Sequence, residues 1–521
     1  MNNQKIKKLR YFFAGALALS ILGLVIALNS RSANDTASKV TGTINVDNGD
    51  LKINWDRYPT NDVELSESLN ITESGTYHLT GTLEDGLISI DAGTGKVRLI
   101  LDNVTIKDSA GPAIACYAAD DLVIELVGEN YLEDGTRYDS NFDEDVTGAI
   151  YSKSDLTFQG EGSLKLTANY QDGIVSKDDL KFNDGTYSIV SADDGIRGKD
   201  SVYIVTGNFE IKSTADAIKS TNEDTEGKGF VLIENGIFRV TAGAKGVNAT
   251  NSILVYNGDF YIDSYDDAIH SNNYVGIVDG QYSISSGDDG VHADRELIID
   301  GGSLSIVKSY EALEAQAVTI NGGVISLVSS DDGINAGGGA DSSSTNRMGA
   351  NAFDSDESCV LTINGGEIYV NASGDGVDSN GWLYFNGGKV IIDGPTNSGN
   401  GALDSGLGIV MNGGEVIAVG ASGMAETLGS SSSVYNASIY FSSAQSAKTK
   451  IEIKNSAGET VISHTSAKSF NHMSVGTEKF VAGETYTVYL NGEKYTTFTI
   501  SSITTTVGNS NTNQNMMPGR R

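Results

Sequence analysis

Residues 267–288 read DAIHSNNYVGIVDGQYSISSGD, and residues 289–310 read DGVHADRELIIDGGSLSIVKSY. Laid one above the other, they place Asp289 under Asp267, His292 under His270, Gly302 under Gly280 and Leu304 under Tyr282. The unit continues in both directions. Asp172-Gly173-Ile174, Asp194-Gly195-Ile196, Asp216-Ala217-Ile218, Lys245-Gly246-Val247, Asp267-Ala268-Ile269, Asp289-Gly290-Val291, Glu311-Ala312-Leu313, Asp332-Gly333-Ile334 and Asp375-Gly376-Val377 step by 22, 22, 29, 22, 22, 22, 21 and 43 residues. A second marker, the glycines from Gly185 to Gly388, keeps the same irregular steps. Two markers that share one set of insertions define a true repeat, and repeats of this length build solenoids.

Each unit reads as three short strands separated by corners such as Asp300-Gly301-Gly302, where glycine after Asp or Asn supplies the positive φ a corner needs. Helical periodicity is missing, and only 4 prolines interrupt the chain. The expected fold is all-β: a right-handed parallel β-helix (solenoid) of about 22 residues per coil, stacked about 4.8 Å apart. One apolar residue follows each glycine corner: Tyr187, Phe209, Phe238, Phe260, Tyr282, Leu304, Ile325, Ile368 and Val390. The column shades from aromatic into aliphatic, which a sugar platform has no use for. It is expected to be an internal stack. Aromatics outside it, Tyr203, Tyr261, Tyr274, Tyr369 and Trp382, are candidates for sugar contact, with Trp382, Tyr274 and Tyr261 the preferred substrate-binding residues.

The Asp markers form an acidic column of Asp172, Asp194, Asp216, Asp267, Asp289, Glu311, Asp332 and Asp375, expected to point outward along one edge. Asp193, Asp266, Asp288 and Asp331 double it. Carboxylates one coil apart repel by roughly 1 kcal/mol in water and 3–4 at an effective dielectric of 20, so cations are expected between them. Arg197 and Lys219 stand three positions after two of the aspartates, and Lys245 replaces a third. From Asp266 to Asp332 the nearby bases are His270 and His292, ordinarily neutral at pH 7. Oxygen-rich sites of variable geometry suit Ca²⁺, with Asp172, Asp193, Asp194, Asp216, Asp266, Asp267, Asp288, Asp289, Asp331 and Asp332 as the metal candidates. The competing reading is that Asp-Gly pairs only make turns. Insertions near 131–145, 221–229, 337–357 and 394–400 bracket the strand carrying this column, and loops of repeat proteins cluster on the binding face.

With 68 acidic against 35 basic residues the formal charge is −33, which excludes a nucleic-acid footprint. Two cysteines, Cys116 and Cys359, make no disulfide framework. Lys5, Lys7, Lys8 and Arg10 precede an uncharged, mostly apolar run from Tyr11 to Leu28, long enough as a helix to span a bilayer core. The basic flank places the rest of the chain outside the cell. The run is expected to be a retained transmembrane anchor, with cleavage at Ser30-Arg31-Ser32 the alternative. The expected divisions are a basic stub and anchor (1–29), a linker and lead-in (30–68), the β-helix (69–435), a small C-terminal β unit (436–503) and a disordered tail (504–521).

From Leu69 to about Gly420 the chain resembles a family of exported carbohydrate-binding proteins with a polysaccharide-lyase-like right-handed β-helix. The matching stretches are Gly75 to Leu83, Ala149 to Leu156, Asp172 to Leu180 and Asp193 to Asp200. The resemblance implies binding of cellulose and of acidic polysaccharides such as polygalacturonate, with bound calcium and no established catalysis. Its Asp-Gly-Ile pattern carries over to Asp172, Asp194, Asp289 and Asp332, and the sequence departs from it at Lys245 and Glu311. The leading expectation is a non-catalytic, monomeric surface binder in which Ca²⁺ bridges protein and uronate carboxylates. The alternative is a calcium-dependent polysaccharide lyase, with Lys245, Lys219 or Arg197 as the base. A structural or adhesion solenoid is a third reading.

Overall fold

The computed structural model describes residues 52–337 and 355–509. Within them the chain winds into a parallel β-solenoid of about 15 turns. A typical coil consists of Ile196–Gly198, Ser201–Ile204 and Asn208–Ser213, and the next of Ile218–Ser220, Phe230–Ile233 and Ile237–Ala242. Corresponding strands pair in parallel, Ile196 with Ile218, Val202 with Val231 and Phe209 with Phe238. Three ladders result, called here the first, second and third in the order the chain visits them. Stacking begins earlier than expected, because Thr60–Leu65 already pairs with Thr76–Gly81.

Alternation along each strand sends one face inward. In the third ladder, Asn208–Ser213 alternates exposed and buried, which puts Phe209 and Ile211 in the core. The expected internal column is confirmed from Tyr187 to Val390, each member at most 4% exposed. Tyr187, Phe209, Phe238, Phe260 and Tyr282 stack face to face with centroids 4.6–5.1 Å apart and planes within 11°. That spacing is the interstrand distance. Each ring pair adds about 0.5–1.5 kcal/mol beyond its burial. A second stack, Phe158 on Phe182, meets the first edge-on.

The corner between second and third ladders is held by an amide ladder. Asn321 donates to Asp300 (2.7 Å), Asn364 to Asn321 (2.8 Å), Asn386 to Asn364 (2.9 Å) and Asn412 to Asn386 (2.9 Å). Gly302 turns there with φ +85°, and a Cβ on it would meet the Gly280 carbonyl at 2.7 Å.

The solenoid ends where Glu415–Gly420 accepts an antiparallel strand, Phe470–Thr477, which pairs in turn with Asn436–Gln445. Thr504–Val507 adds to that layer in parallel, so ordered structure passes the expected boundary at 503. Four further strands, Thr460–Thr465, Lys450–Lys454, Thr485–Leu490 and Glu493–Thr499, form a separate antiparallel sheet. Asp393 ties this end to the coils, accepting from Ser466 (3.0 Å), the Ala467 amide (3.0 Å) and Tyr369 (2.9 Å), with His464 Nε2 at 2.8 Å. The expected membrane span at Tyr11 to Leu28 lies outside the described residues, as do 338–354 of the long insertion and the tail beyond 509. Among the described residues no helix is long and apolar enough to cross a membrane.

Candidate functional site

The acidic column does not point outward. Asp172, Asp194, Asp216, Asp267, Asp289, Glu311 and Asp332 are all buried, none more than 5% exposed, and Asp375 is half-buried. The reason is a hydrogen bond repeated from coil to coil. Asp194 N–H donates to Asp172 Oδ1 (3.1 Å), Asp216 N–H to Asp194 Oδ1 (3.1 Å) and Lys245 N–H to Asp216 Oδ1 (2.9 Å). Asp289 N–H donates to Asp267 Oδ1 (2.9 Å), Glu311 N–H to Asp289 Oδ1 (3.0 Å) and Asp375 N–H to Asp332 Oδ1 (2.6 Å). Each carboxylate thus satisfies an amide at the turn into the first ladder, where the sheet pattern offers none. The turn reading describes one oxygen of each aspartate.

The second oxygen meets a neighbouring column, the outward residue of the first ladder three positions on. Register runs Arg197, Lys219, Asn248, His270, His292, Glu314, Asn335, Asp378, Asp404. Arg197 donates to Asp172 Oδ2 at 2.5 Å, and Lys219 Nζ lies 2.9 Å from Asp216 Oδ2 and 3.4 Å from Asp194 Oδ2. Asn248 donates to Asp216 Oδ2 at 2.9 Å, and Asn335 to Glu311 Oε2 at 2.8 Å. Lys245 turns the other way and sets its ammonium 2.5 Å from Asp267 Oδ2 and 3.4 Å from Asp266 Oδ1.

These contacts fix the charges. Burial pushes Asp194 up to about 6, against the pull of Lys219. Burial also raises Asp216, but the hydrogen bond and charge of Lys219 outweigh it and hold the carboxyl below its ordinary value. Lys219 is penalised by burial yet raised overall by Asp194 and Asp216. A lysine so held keeps its proton at neutral pH, the wrong state for the base of a lyase. Arg197 and Lys245 are likewise engaged with carboxylates. His292 departs from the expected neutral ring. Burial lowers it, but Asp289, Asp294 and Glu314 more than compensate and raise it to about 11.

What reaches solvent is the preceding member of each doubled pair. Asp193 is exposed, and Asp266, Asp288 and Asp331 are half-buried. Asp266 and Asp288 line an open groove with Asp263, Tyr265, Lys308 and Tyr310. Tyr265 is 81% exposed; the sequence reading missed it, although it directly precedes Asp266. The favoured aromatics are not brought together. Tyr261 lies on the outer face of the third ladder, 51% exposed under the Arg239 guanidinium (5.2 Å). Tyr274 and Trp382 are half-buried in the second ladder on different coils, Tyr274 beside Arg295 and Trp382 beside Tyr384. Tyr203 is 7% exposed and packs with Phe230, Leu232 and Leu254.

The described insertions have structural work. Lys228, from the 221–229 insertion, sits 3.1 Å from Asp179 and 3.5 Å from Asp200. In the 131–145 insertion Tyr138 stacks on Tyr170 at 4.3 Å and covers Tyr151 and Val175 at the head of the outward column.

The profile of the carbohydrate-binding domain-containing proteins matches residues 66–333, just over half of the chain. The chain belongs to that family. A carbohydrate-binding domain-containing protein of Acetivibrio thermocellus is 32% identical over 185 residues, which cover 33% of this chain and 63% of the relative. The match therefore spans less than two thirds of that relative's length. Among solved structures, a gadolinium derivative of a polysaccharide lyase-like protein from C. thermocellum is 28% identical, covering 46% of this chain and 96% of the other, at a TM-score of 0.38. In this family member the matched region contains the ring stack, the matched part of the acidic ladder and the Tyr265 groove.

Apart from Asp155, Asp178 and Asp179, where Lys228 already stands 3.1 Å from Asp179, two all-carboxylate sets on the acidic column bear on calcium. Asp172, Asp193 and Asp194 converge within 4.8 Å of one another, as do Asp266, Asp267 and Asp288. In the first set Arg197 already occupies Asp172 Oδ2. In the second set Lys245 occupies Asp267 Oδ2 and approaches Asp266 Oδ1, so what opens on the groove is Asp266 and Asp288, two hard-oxygen side chains that fit Ca²⁺ only as a partial set completed by water or a ligand.

Proposed function

We propose that this family member is an extracellular polysaccharide binder, a right-handed and monomeric solenoid held at the cell surface by residues 11–28. Its glycan lies in the groove of Tyr265, Asp266, Asp288, Lys308 and Tyr310. The observation that carries this reading is the meeting of an exposed aromatic with surface carboxylates beside one of the oxygen sets. Tyr265 offers a flat apolar face for a sugar ring. Asp266 and Asp288 accept hydrogen bonds from the hydroxyls of a neutral glycan such as cellulose. For an acidic glycan such as polygalacturonate, Asp266 and Asp288 would hold Ca²⁺ at the groove, beside Asp267 and its Lys245 partner, and the ion supplies the positive charge a uronate carboxylate needs in a chain of charge −33. The solvent-facing carboxylates Asp193, Asp266, Asp288 and Asp331 recur along the solenoid, so a polymer lying across the groove meets more than one of them and binds more tightly than a monosaccharide.

The test is co-sedimentation with polygalacturonate and with cellulose, in calcium and in chelator, while unsaturated-product absorbance is followed. The expected result is calcium-dependent capture of polygalacturonate with flat absorbance. Growing absorbance would favour the lyase reading, and capture of neither polymer would overturn the proposal.

A further inference from the structure

The coils at Asp289 and Glu311 contain a buried group of mixed donors that differs from the all-oxygen sets. His292, on the first ladder, is 1% exposed, and neither ring nitrogen makes an aligned hydrogen bond. Nδ1 faces two carboxylates, Asp289 Oδ2 at 3.3 Å and Glu314 Oε2 at 3.5 Å. Glu314, one coil further on the same column, is 3% exposed, and Asp289 is 5% exposed. One ligand atom from each of the three lies within 4.8 Å of the others. Two buried carboxylates this close repel unless a cation joins them.

A charge-assisted N–H···O bond is about 2.7–2.9 Å long. Tetrahedral metal–nitrogen and metal–oxygen bonds of about 2.0–2.2 Å set their ligand atoms roughly 3.3–3.6 Å apart. The observed 3.3 and 3.5 Å accommodate such a shell, as they do the looser ion pairs of this chain, and what sets the group apart is two buried carboxylates on one unbonded ring nitrogen. On the far side of the ring, Nε2 faces Asp294 Oδ1 at 3.5 Å, a buried oxygen without a hydrogen-bond donor. A carboxylate behind the second nitrogen is the arrangement that orients metal-bound histidines.

We propose that Asp289, His292 and Glu314 form a site for one divalent transition-metal ion of the Zn²⁺ class, separate from any calcium in the groove. An imidazole nitrogen with two carboxylates suits zinc, cobalt or nickel, whereas calcium takes oxygen alone. Without metal, the ring faces Asp289, Glu314 and Asp294, with the His270 ring 5.0 Å away. This inference does not depend on glycan binding.

The experiment titrates the chelator-stripped full-length protein with Zn²⁺ by calorimetry and, separately, with Co²⁺ by visible absorbance. The expected result is one equivalent of Zn²⁺, undisplaced by excess Ca²⁺, together with a Co²⁺ d–d band of four- or five-coordinate intensity. His292→Asn and Glu314→Gln should each weaken Zn²⁺ at least tenfold, and Asp193→Asn should not. No saturable zinc and no cobalt band in the natural protein would overturn the site, as would undiminished zinc binding in both variants. The wild-type cobalt spectrum remains decisive if either variant fails to fold.

Discussion

The acidic ladder is built in one way along its length but neutralised in two. From Asp172 to Asp267 the neighbouring or substituting residues are Arg197, Lys219 and Lys245, and each places its charge on a buried carboxylate. From Asp289 onward the facing column changes to His292, Glu314, Asn335, Asp378 and Asp404. Both columns are acidic at the far end. There burial, the charge of Asp404 and a hydrogen bond with it push Glu426 up to about 7. Backbone geometry therefore sets where the aspartates stand, and the neighbouring column sets what they can do. The first region is a structural zipper; the second leaves negative charge for protons or added cations.

The largest expected difference is at Asp216. Asp216→Ala removes the acceptor of the Lys245 amide and takes the nearest carboxylate from half-buried Lys219, leaving it Asp194 at 3.4 Å. We expect a loss of roughly 3–5 kcal/mol by urea unfolding. A loss under about 1 kcal/mol would show that the zipper is not what holds these coils.

At the acidic end the sign should reverse. Glu426 at that end sits at about 7, and within the zipper burial still holds Asp194 at about 6 against Lys219, above ordinary values of 4.5 and 3.8. Between those limits the folded state binds more protons than the unfolded one. The stability these groups lend is complete below about pH 4 and is lost as pH rises through about 6 to 7. Melting in chelator should therefore drop between about pH 5 and about pH 7.5. Glu426→Gln should gain about 1 kcal/mol at the upper pH and little at the lower. A variant that melts lower at both would mean that Glu426 is stabilised by its charge.

The smallest effect is expected at the surface partner of a ladder residue. Asp193 is exposed beside buried Asp194. Asp193→Ala should change stability by less than about 0.5 kcal/mol. A larger cost would erase the division between the inner and outer members of each pair.

The fold was legible because its period is carried twice, by the Asp-Gly-Ile and glycine markers, and because the Tyr187-to-Val390 column falls in step with both. The division within Asp266-Asp267 or Asp288-Asp289 was not legible. Those pairs straddle a corner, where strand alternation gives no rule, and burial there depends on the amide one coil later. The facing column left a readable trace: Arg197 and Lys219 stand three positions after their aspartates, and the same offset reaches Asn248, His292 and Glu314. Its sequence varies in charge, which hid it from a search for one residue type. Tyr265 and Lys228 had weaker signals, since each belongs to a single coil.

The most direct test of the division between a buried holding column and a surface binding column is the double variant Asp266→Asn, Asp288→Asn. Affinity for polygalacturonate in calcium is measured beside the melting temperature, with chelator as the reference. The expected result is binding weakened at least about tenfold, down to the chelator level, with melting unchanged. Undiminished, calcium-dependent binding in a folded variant would contradict the account and move the ligand to another face, with Trp382 the first residue to change.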